Sequence, residues 1–324
     1  MRIAFFTEGK WCGKIRPEQC GRTDANWIFA LDAVHFPLDP DGVQIHDGFT
    51  GQLFDLGIVI VPKKNPSSVF DKKRVVQCKK WAVMQEGSND GWQNYEMIDQ
   101  IKYLHLLSEM NIIFCHNEQD KLYFEGLFPD KKVETFSSLL IEASLPEIPR
   151  ENRSGSFISG NMTSWYGGMD SFIIGQILSP NKVYAPSMGR RIANEEQLEG
   201  LTHLPYMNWQ RWIIELNKRK YGVNLMRTFA AGSFSLACAR LKIPCIGWGR
   251  VDESNPEGTD TQRLLFPELT IPTGNMKAAS LIAKHLKENE LFYQHCAEYA
   301  FKRYNEIYRE EIFIEKFNQS IKGI

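Results

Sequence analysis

The sequence has no Cys-x-x-Cys pair. Its seven cysteines, at 12, 20, 78, 115, 238, 245 and 296, are odd in number and irregular in spacing. That excludes a zinc ribbon and a disulfide framework, and fits a reducing compartment. No apolar run approaches the ~20 residues that cross a bilayer, so no membrane span is expected. The opening Met-Arg-Ile-Ala-Phe-Phe is too short, and too soon followed by Glu8 and Lys10, to read as a secretory leader. The expected location is therefore the cytoplasm. An excess of one charge is also missing. The formal net charge is −1, which argues against a dedicated nucleic-acid coat. Neither GxxxxGK[ST] nor GxGxxG occurs, which excludes a P-loop and the dinucleotide fingerprint. No Asp-x-Asp pair stands at an expected strand end and no His/Cys cluster has ligand spacing, so no metal site is expected.

What is present is ordinary globular material: 324 residues, 43% hydrophobic, 12% aromatic and 24% charged, enough for two domains with cores of their own. Charge is uneven along the chain. Residues 63–80 hold seven Lys/Arg, among them Lys72, Lys73 and Arg74, against Asp71 alone. Residues 182–250 hold eleven against four acids. Two basic zones on an otherwise acidic chain suit the handling of anions such as phosphates, although lysines on a solvated helix face would look the same.

Strand and helix patterns alternate. Arg2–Phe6, Gly57–Pro62, Trp81–Gln85 and Asn111–Cys115 read as buried strands, and 23–34, 67–80, 92–110 and 118–128 as helices, the first capped by Thr23. Residues 145–156 read as a linker. Alternation then resumes, with strands at 157–159, 182–185, 223–226 and 244–248. The helices of this half fall at 170–178, 209–220, 232–241 and 277–289, before a helical tail. The expected architecture is α/β: two Rossmann-like domains facing a cleft, with parallel sheets covered on both sides. The expected boundaries are 1–148, 149–290 and a helical C-terminal tail, 291–324, that packs back toward the first domain.

Ligands of open α/β sheets gather beyond the carboxyl ends of strands, so the residues that follow each strand are the candidates. After the first strand come Gly9, Lys10, Trp11, Gly13 and Lys14, suited to close backbone approach and to phosphate. Asp24 opens a helix and Glu86 follows the WAVMQ strand; either carboxylate could serve as a base, or Asp24 could simply complement the helix dipole. His116 follows NIIFC, where it could polarise a substrate or tie loops together. The second half opens on Gly160, Asn161, Ser164, Tyr166 and Gly167 between strand and helix, an anion-binding turn. A second such turn holds Arg227, Gly232, Ser233 and Ser235, and Arg190 and Arg191 follow a further strand. Two such turns with arginines beside both favour a diphosphate over packing alone.

Residues 238–246, Cys-Ala-Arg-Leu-Lys-Ile-Pro-Cys-Ile, and the turn before them resemble the donor-domain core of the GT-B glycosyltransferases. Many members carry a ribose-binding Glu before this helix; here Ser233 and Ser235 stand instead, which leaves the nucleoside open. TEGKWCGKI, GRTDANW, MQEGSNDGWQNY, IIFCHNEQD and GNMTSWYGGMDS, spread over the first 171 residues, are similar to glycosyltransferases of T-even-like tailed phages. The resemblance implies transfer of a sugar from a nucleotide diphosphate sugar, a UDP-sugar foremost, to a hydroxyl. It makes 5-hydroxymethylcytosine in double-stranded phage DNA the leading acceptor, modified in the host cytoplasm. The donor would bind Gly9, Lys10, Gly13, Lys14, Gly160, Asn161, Ser164, Tyr166, Gly167, Arg190, Arg191, Arg227, Gly232, Ser233 and Ser235. The acceptor would meet Trp11, His116, Lys72, Lys73 and Arg74, and Asp24 or Glu86 would act as base if configuration inverts. No tightly bound cofactor is implied; a divalent ion could stimulate turnover without being needed for donor binding. The rivals are transfer to a cell-surface glycan and a two-domain binding protein without enzymatic activity.

Overall fold

The computed structural model describes residues 1–8, 11–38, 51–60, 76–85, 91–148, 152–187, 192–227, 232–249 and 260–323. They divide into two units, one of Met1–Ile141 with Glu310–Ile324 and one of Glu142–Arg309.

In the first unit six parallel strands lie in the order β2-β1-β3-β4-β5-β6. They are β1 (Ile3–Thr7), β2 (Val34–Pro37), β3 (Leu53–Ile60), β4 (Gln77–Met84), β5 (Ile112–Cys115) and β6 (Lys132–Thr135). Among the described residues three helices lie between them: α1 (Thr23–Ala30), α2 (Met97–Glu109) and α3 (Glu118–Leu127). Side chains alternate across a strand, and here both faces are covered. Phe5, Ile58, Met84 and Phe114 enter one core with Trp27 of α1. Phe6, Val59, Val83 and Ile113 enter the other with Leu106 of α2 and Phe124 of α3.

The second unit repeats the plan, in the order β12-β11-β10-β7-β8-β9. Its strands are β7 (Ser156–Ile158), β8 (Val183–Ala185), β9 (Leu201–His203), β10 (Tyr221–Asn224), β11 (Cys245–Gly249) and β12 (Thr270–Pro272). Its helices are α4 (Gly168–Leu178), α5 (Trp209–Asn217), α6 (Ser233–Arg240), α7 (Thr261–Leu265), α8 (Met276–Glu288) and α9 (Glu290–Ile307). A last helix, α10 (Glu310–Ser320), belongs to the first unit. Its Phe313 packs edge-on against Trp27 at 4.9 Å between ring centroids, and Phe317 is fully buried. Burying such rings is worth about 1.5–3 kcal/mol each, enough to hold a short helix in place. The first unit thus runs to Ile141 and takes in the chain again from Glu310.

Several expected elements change. The helix from Thr23 ends at Ala30, because Asp32 takes a left-handed backbone (φ 46°), and Val34 opens a strand. Thr23 is not the cap: Arg22 precedes the first turn, and the Thr23 hydroxyl lies 3.3 Å from that of Ser138. Gln77–Lys80, expected as helix, is the first half of β4. That half pairs with β3 alone and carries polar side chains, such as Lys79, bonded to Asp55 at 2.7 Å. Polarity there hides the strand pattern. Recognition of β2 also alters an expected absence: Asp39-Pro40-Asp41, an Asp-x-Asp triplet, begins two residues beyond it, outside the described residues.

Candidate functional site

Each sheet has one place where the strand order reverses, and crevices for ligands form beside such points. In the second unit it lies between β7 and β10. The turn after β7 approaches the exit of β10 so closely that only glycine fits. A Cβ on Gly167 (φ +59°) would stand 1.9 Å from the Leu225 carbonyl oxygen. A Cβ on Gly168 would stand 2.3 Å from that of Asn161, and one on Gly160 2.4 Å from the Tyr166 ring. Asn161 is fully buried. Its Oδ1 accepts from the Thr163 amide (3.1 Å) and hydroxyl (2.8 Å), while its Nδ2 has no partner. Ser164 is exposed beside it. The result is a rigid turn that delivers the chain to the amino end of α4, where free amides and the helix dipole favour an anion.

Two side chains that the sequence did not single out brace this turn. The Leu225 amide donates to Ser171 Oγ at 3.2 Å, tying α4 to the end of β10. The buried carboxylate of Glu195 accepts from the amides of Met162 (3.2 Å) and Ile192 (2.9 Å). It thereby joins the turn to the segment that follows Arg191 in sequence. Nothing in a local pattern marks their role at the turn, since Ser171 meets Leu225 and Glu195 meets Met162 across distant sequence.

At the second turn Gly232 (φ +80°) caps α6, and a Cβ there would stand 2.5 Å from Thr261. Ser233 is the first residue of α6 and half-buried. Ser235, expected at the donor, is fully buried and points inward. Its hydroxyl donates to Gln262 Oε1 (2.6 Å) and accepts from Asn224 Nδ2 (3.3 Å). Gln262 passes the network on to the Cys245 carbonyl at 2.8 Å. Ser235 therefore holds α6 to the sheet, and its hydroxyl is spent. Arg227 remains exposed, 3.3 Å from Asp170 in the first turn of α4, which keeps a cation beside that helix start. Arg190 and Arg191 lie outside the described residues.

In the first unit the reversal lies between β1 and β3. Asp24 is close to it but has no exposed surface. Its carboxylate accepts from the Thr7 hydroxyl (3.0 Å) and the Ala25 amide (2.8 Å), with the Arg22 guanidinium at 3.1 Å. A general base must reach the acceptor hydroxyl, and this carboxylate has both oxygens engaged. The geometry makes Asp24 a brace between β1 and α1, not an exposed base. Trp11 and Gly13 are held against β2 by His35, a residue absent from the sequence expectation. Lys14 is turned to Asp32, with its ammonium 2.6 Å from the carboxylate. His116 is buried at the end of β5, its Nδ1–H donating to the Phe136 carbonyl at 2.7 Å and its Nε2 unpartnered. Burial pushes both His35 and His116 below the ordinary imidazole range, so both are neutral near pH 7. Gly9, Lys10, Glu86, Lys72, Lys73 and Arg74 lie outside the described residues.

Among the described residues no group of three His, Cys, Asp or Glu is placed to hold a metal ion. Nor is any helix among them long and apolar enough to cross a membrane.

No family model and no curated protein sequence matches the chain. Solved structures do, at low identity. Alpha-glucosyltransferase in complex with UDP and a 13-mer DNA containing an HMU base matches with a TM-score of 0.62 at 13% identity, over 99% of this chain and 100% of that one. Sucrose-phosphate synthase from Thermosynechococcus elongatus matches with a TM-score of 0.67 at 9% identity, over 98% of both chains. S. aureus TarM, in complex with Fondaparinux, alpha-GlcNAc-glycerol and UDP, matches with a TM-score of 0.58 at 12% identity, over 82% of this chain and 55% of that one. This chain thus spans about half the length of TarM. Two six-stranded parallel sheets, each with its order reversed at one interior point, and the return of the last helix to the first unit are shared features of one architecture: the chain has the GT-B fold.

Proposed function

We propose that this protein transfers a sugar from a UDP-sugar to a hydroxyl, and that the acceptor is a hydroxymethylated pyrimidine in double-stranded DNA. The observation that carries the first part is the glycine-shaped turn that brings the start of α4, with Arg227 beside it, to the exit of β10 at the reversal point of the second sheet. The bond to be broken already ends in a good leaving group, so the enzyme's task is to stabilise the departing diphosphate. Helix amides, Arg227, and Arg190 and Arg191 would share it, with Gly160, Asn161, Ser164, Tyr166, Gly167, Gly232 and Ser233 shaping the cradle. The resemblance adds Gly9, Lys10, Gly13 and Lys14 of the first unit to the proposed donor residues.

With Asp24 buried, Glu86 is the carboxylate left for deprotonating the acceptor if configuration inverts; if configuration is retained, it binds a hydroxyl. Trp11, His116 and the basic residues Lys72, Lys73 and Arg74 would meet the acceptor. The DNA assignment rests on the phage-like motifs and on full-length likeness to a structure that holds UDP and HMU-containing DNA. The test is incubation of the protein with pooled nucleotide sugars and duplex DNA containing hydroxymethylcytosine or hydroxymethyluracil, followed by mass spectrometry of the released nucleosides. A pyrimidine heavier by one sugar residue supports the proposal. Turnover of the nucleotide sugar on glycan acceptors alone would redirect the acceptor and keep the donor chemistry.

A further inference from the structure

Three buried polar atoms of the second unit sit at or just past the carboxyl ends of β7 and β10 with no hydrogen-bond partner: Ser159 Oγ, Asn161 Nδ2 and Asn224 Oδ1. These two strands form the order reversal of their sheet. The Ser159 amide donates to the Val223 carbonyl at 2.9 Å, which carries the pairing of Val223 with Ile158 one step further and sets Ser159 beside Asn224. Both side chains lie on the α6 face of the sheet. Phe157, two residues before Ser159, packs against Phe234 of α6 with 6.1 Å between ring centroids, and Asn224 reaches Ser235 of α6. Ser159 and Asn224 nevertheless make no bond to each other.

Backbone groups fix which end of each amide is free. Gln262 Nε2 donates to the Cys245 carbonyl, so its Oε1 must accept, and it takes the one hydrogen of Ser235 Oγ at 2.6 Å. Ser235 Oγ is left to accept, from Asn224 Nδ2 at 3.3 Å, and Asn224 therefore presents Oδ1 to the end of the sheet. At Asn161 the Thr163 amide holds Oδ1 and leaves Nδ2. The two asparagines thus offer opposite chemistry. Asn161 presents a donor and suits a diphosphate oxygen, whereas an ionised phosphate has no hydrogen to give to Asn224 Oδ1. A hydroxyl has one, and can accept from Ser159 Oγ in turn. A buried acceptor left unpaired is costly, and an apolar residue at Asn224 would avoid that cost. We propose that Asn224 and Ser159 receive one hydroxyl of the nucleotide sugar, borne by its ribose or by the sugar to be transferred, and so help set which donor is accepted; this rests on the transfer reading above.

The experiment removes the hydroxyl from the ligand and the acceptor from the protein, separately and together. Calorimetry on the full-length parent and on Asn224→Leu, or Asn224→Ala should the leucine not fit, gives the Kd for UDP, 2′-deoxy-UDP, 3′-deoxy-UDP and UDP-glucose. Leucine keeps the bulk of the side chain and leaves the bond from Ser235 to Gln262 in place. If the hydroxyl is the ribose's, the parent should prefer UDP to one deoxy analogue about tenfold, the scale of one hydrogen bond, and the variant should lose that preference. If it is the transferred sugar's, the deoxy analogues should behave alike in both proteins, and the affinity of UDP-glucose relative to UDP should fall about tenfold in the variant. Either result supports the proposal and names the source. Identical ratios in parent and variant would overturn it, even with weaker binding throughout, because lost packing acts on every ligand equally. A parent that binds no UDP would instead overturn the transfer reading itself, and this site with it.

Discussion

Asp24 shows how a sequence position can suggest one chemistry and its surroundings another. A carboxylate at a helix start, beside a glycine-rich segment, reads naturally as a base, and its neighbours cannot be counted from the chain. In the fold it is sealed beneath Thr7 and Arg22. Asp24→Asn should therefore cost stability, about 1.5–3 kcal/mol for weakened charge-assisted bonds, while turnover per folded molecule stays within tenfold. Urea unfolding beside steady-state kinetics checks this. A drop of ~10²–10⁴ in kcat with unchanged unfolding would restore Asp24 as the base.

The two buried histidines make a second residue-level prediction. Burial lowers their folded-state pKa below the usual ~6.5, so folding favours the neutral ring. Their contribution is then fully present above the unfolded value and is lost as pH falls through it toward the folded value. Tm should hold between pH 7 and 8 and decline below pH ~6.5, and His116→Gln should flatten that decline. An equal decline in the variant would exclude His116 as a source.

At the scale of elements, the long buried strands were legible because both of their faces are apolar, as in β1, the second half of β3, and β5. The short strands β6, β9 and β12 were not. Each offers three or four residues with partial exposure and pairs along one side only. The first half of β4 failed for the same reason, and β2 was absorbed into the preceding helix because Val34 continues its apolar spacing past Leu31. The turn after β7 was legible as glycine-rich, but the sequence could not show which glycine bears the constraint. Gly167 bears most of it, with φ in the left-handed region and the Leu225 carbonyl in the place of a side chain. Gly167→Ala should displace the turn and weaken UDP binding at least tenfold, read by calorimetry, whereas alanine at Gly126, which meets nothing within 4 Å, should leave it unchanged. Equal UDP affinity in the two variants would remove the turn from the donor site.

For the whole molecule, alternation of strand and helix sufficed to foresee two Rossmann-like units and a helical tail. The exact return of the chain was not legible, because it depends on where Phe313 and Phe317 find a core, and that core belongs to residues more than 170 positions earlier. The acceptor was the least legible feature, since Lys72, Lys73, Arg74 and Glu86, four of the residues proposed for it, lie outside the described residues. Charge still makes a prediction there. Reversing Lys72, Lys73 and Arg74 to Glu should reduce transfer to DNA and its salt sensitivity while leaving the Kd for UDP in place. Unchanged transfer at both low and moderate salt would move the acceptor surface elsewhere.

The central claim is that the second-unit turns hold a nucleotide diphosphate whose sugar passes to a hydroxymethylated base. The most direct measurement is mass spectrometry of nucleosides from hydroxymethylated duplex DNA after incubation with UDP-sugars, run beside Arg227→Ala. The account predicts a mass gain of one sugar on the modified pyrimidine. It also predicts that Arg227→Ala lowers that yield at limiting donor, in step with a loss of UDP affinity of about 1.5–3 kcal/mol. Unmodified DNA together with no detectable UDP binding by the parent protein would contradict it.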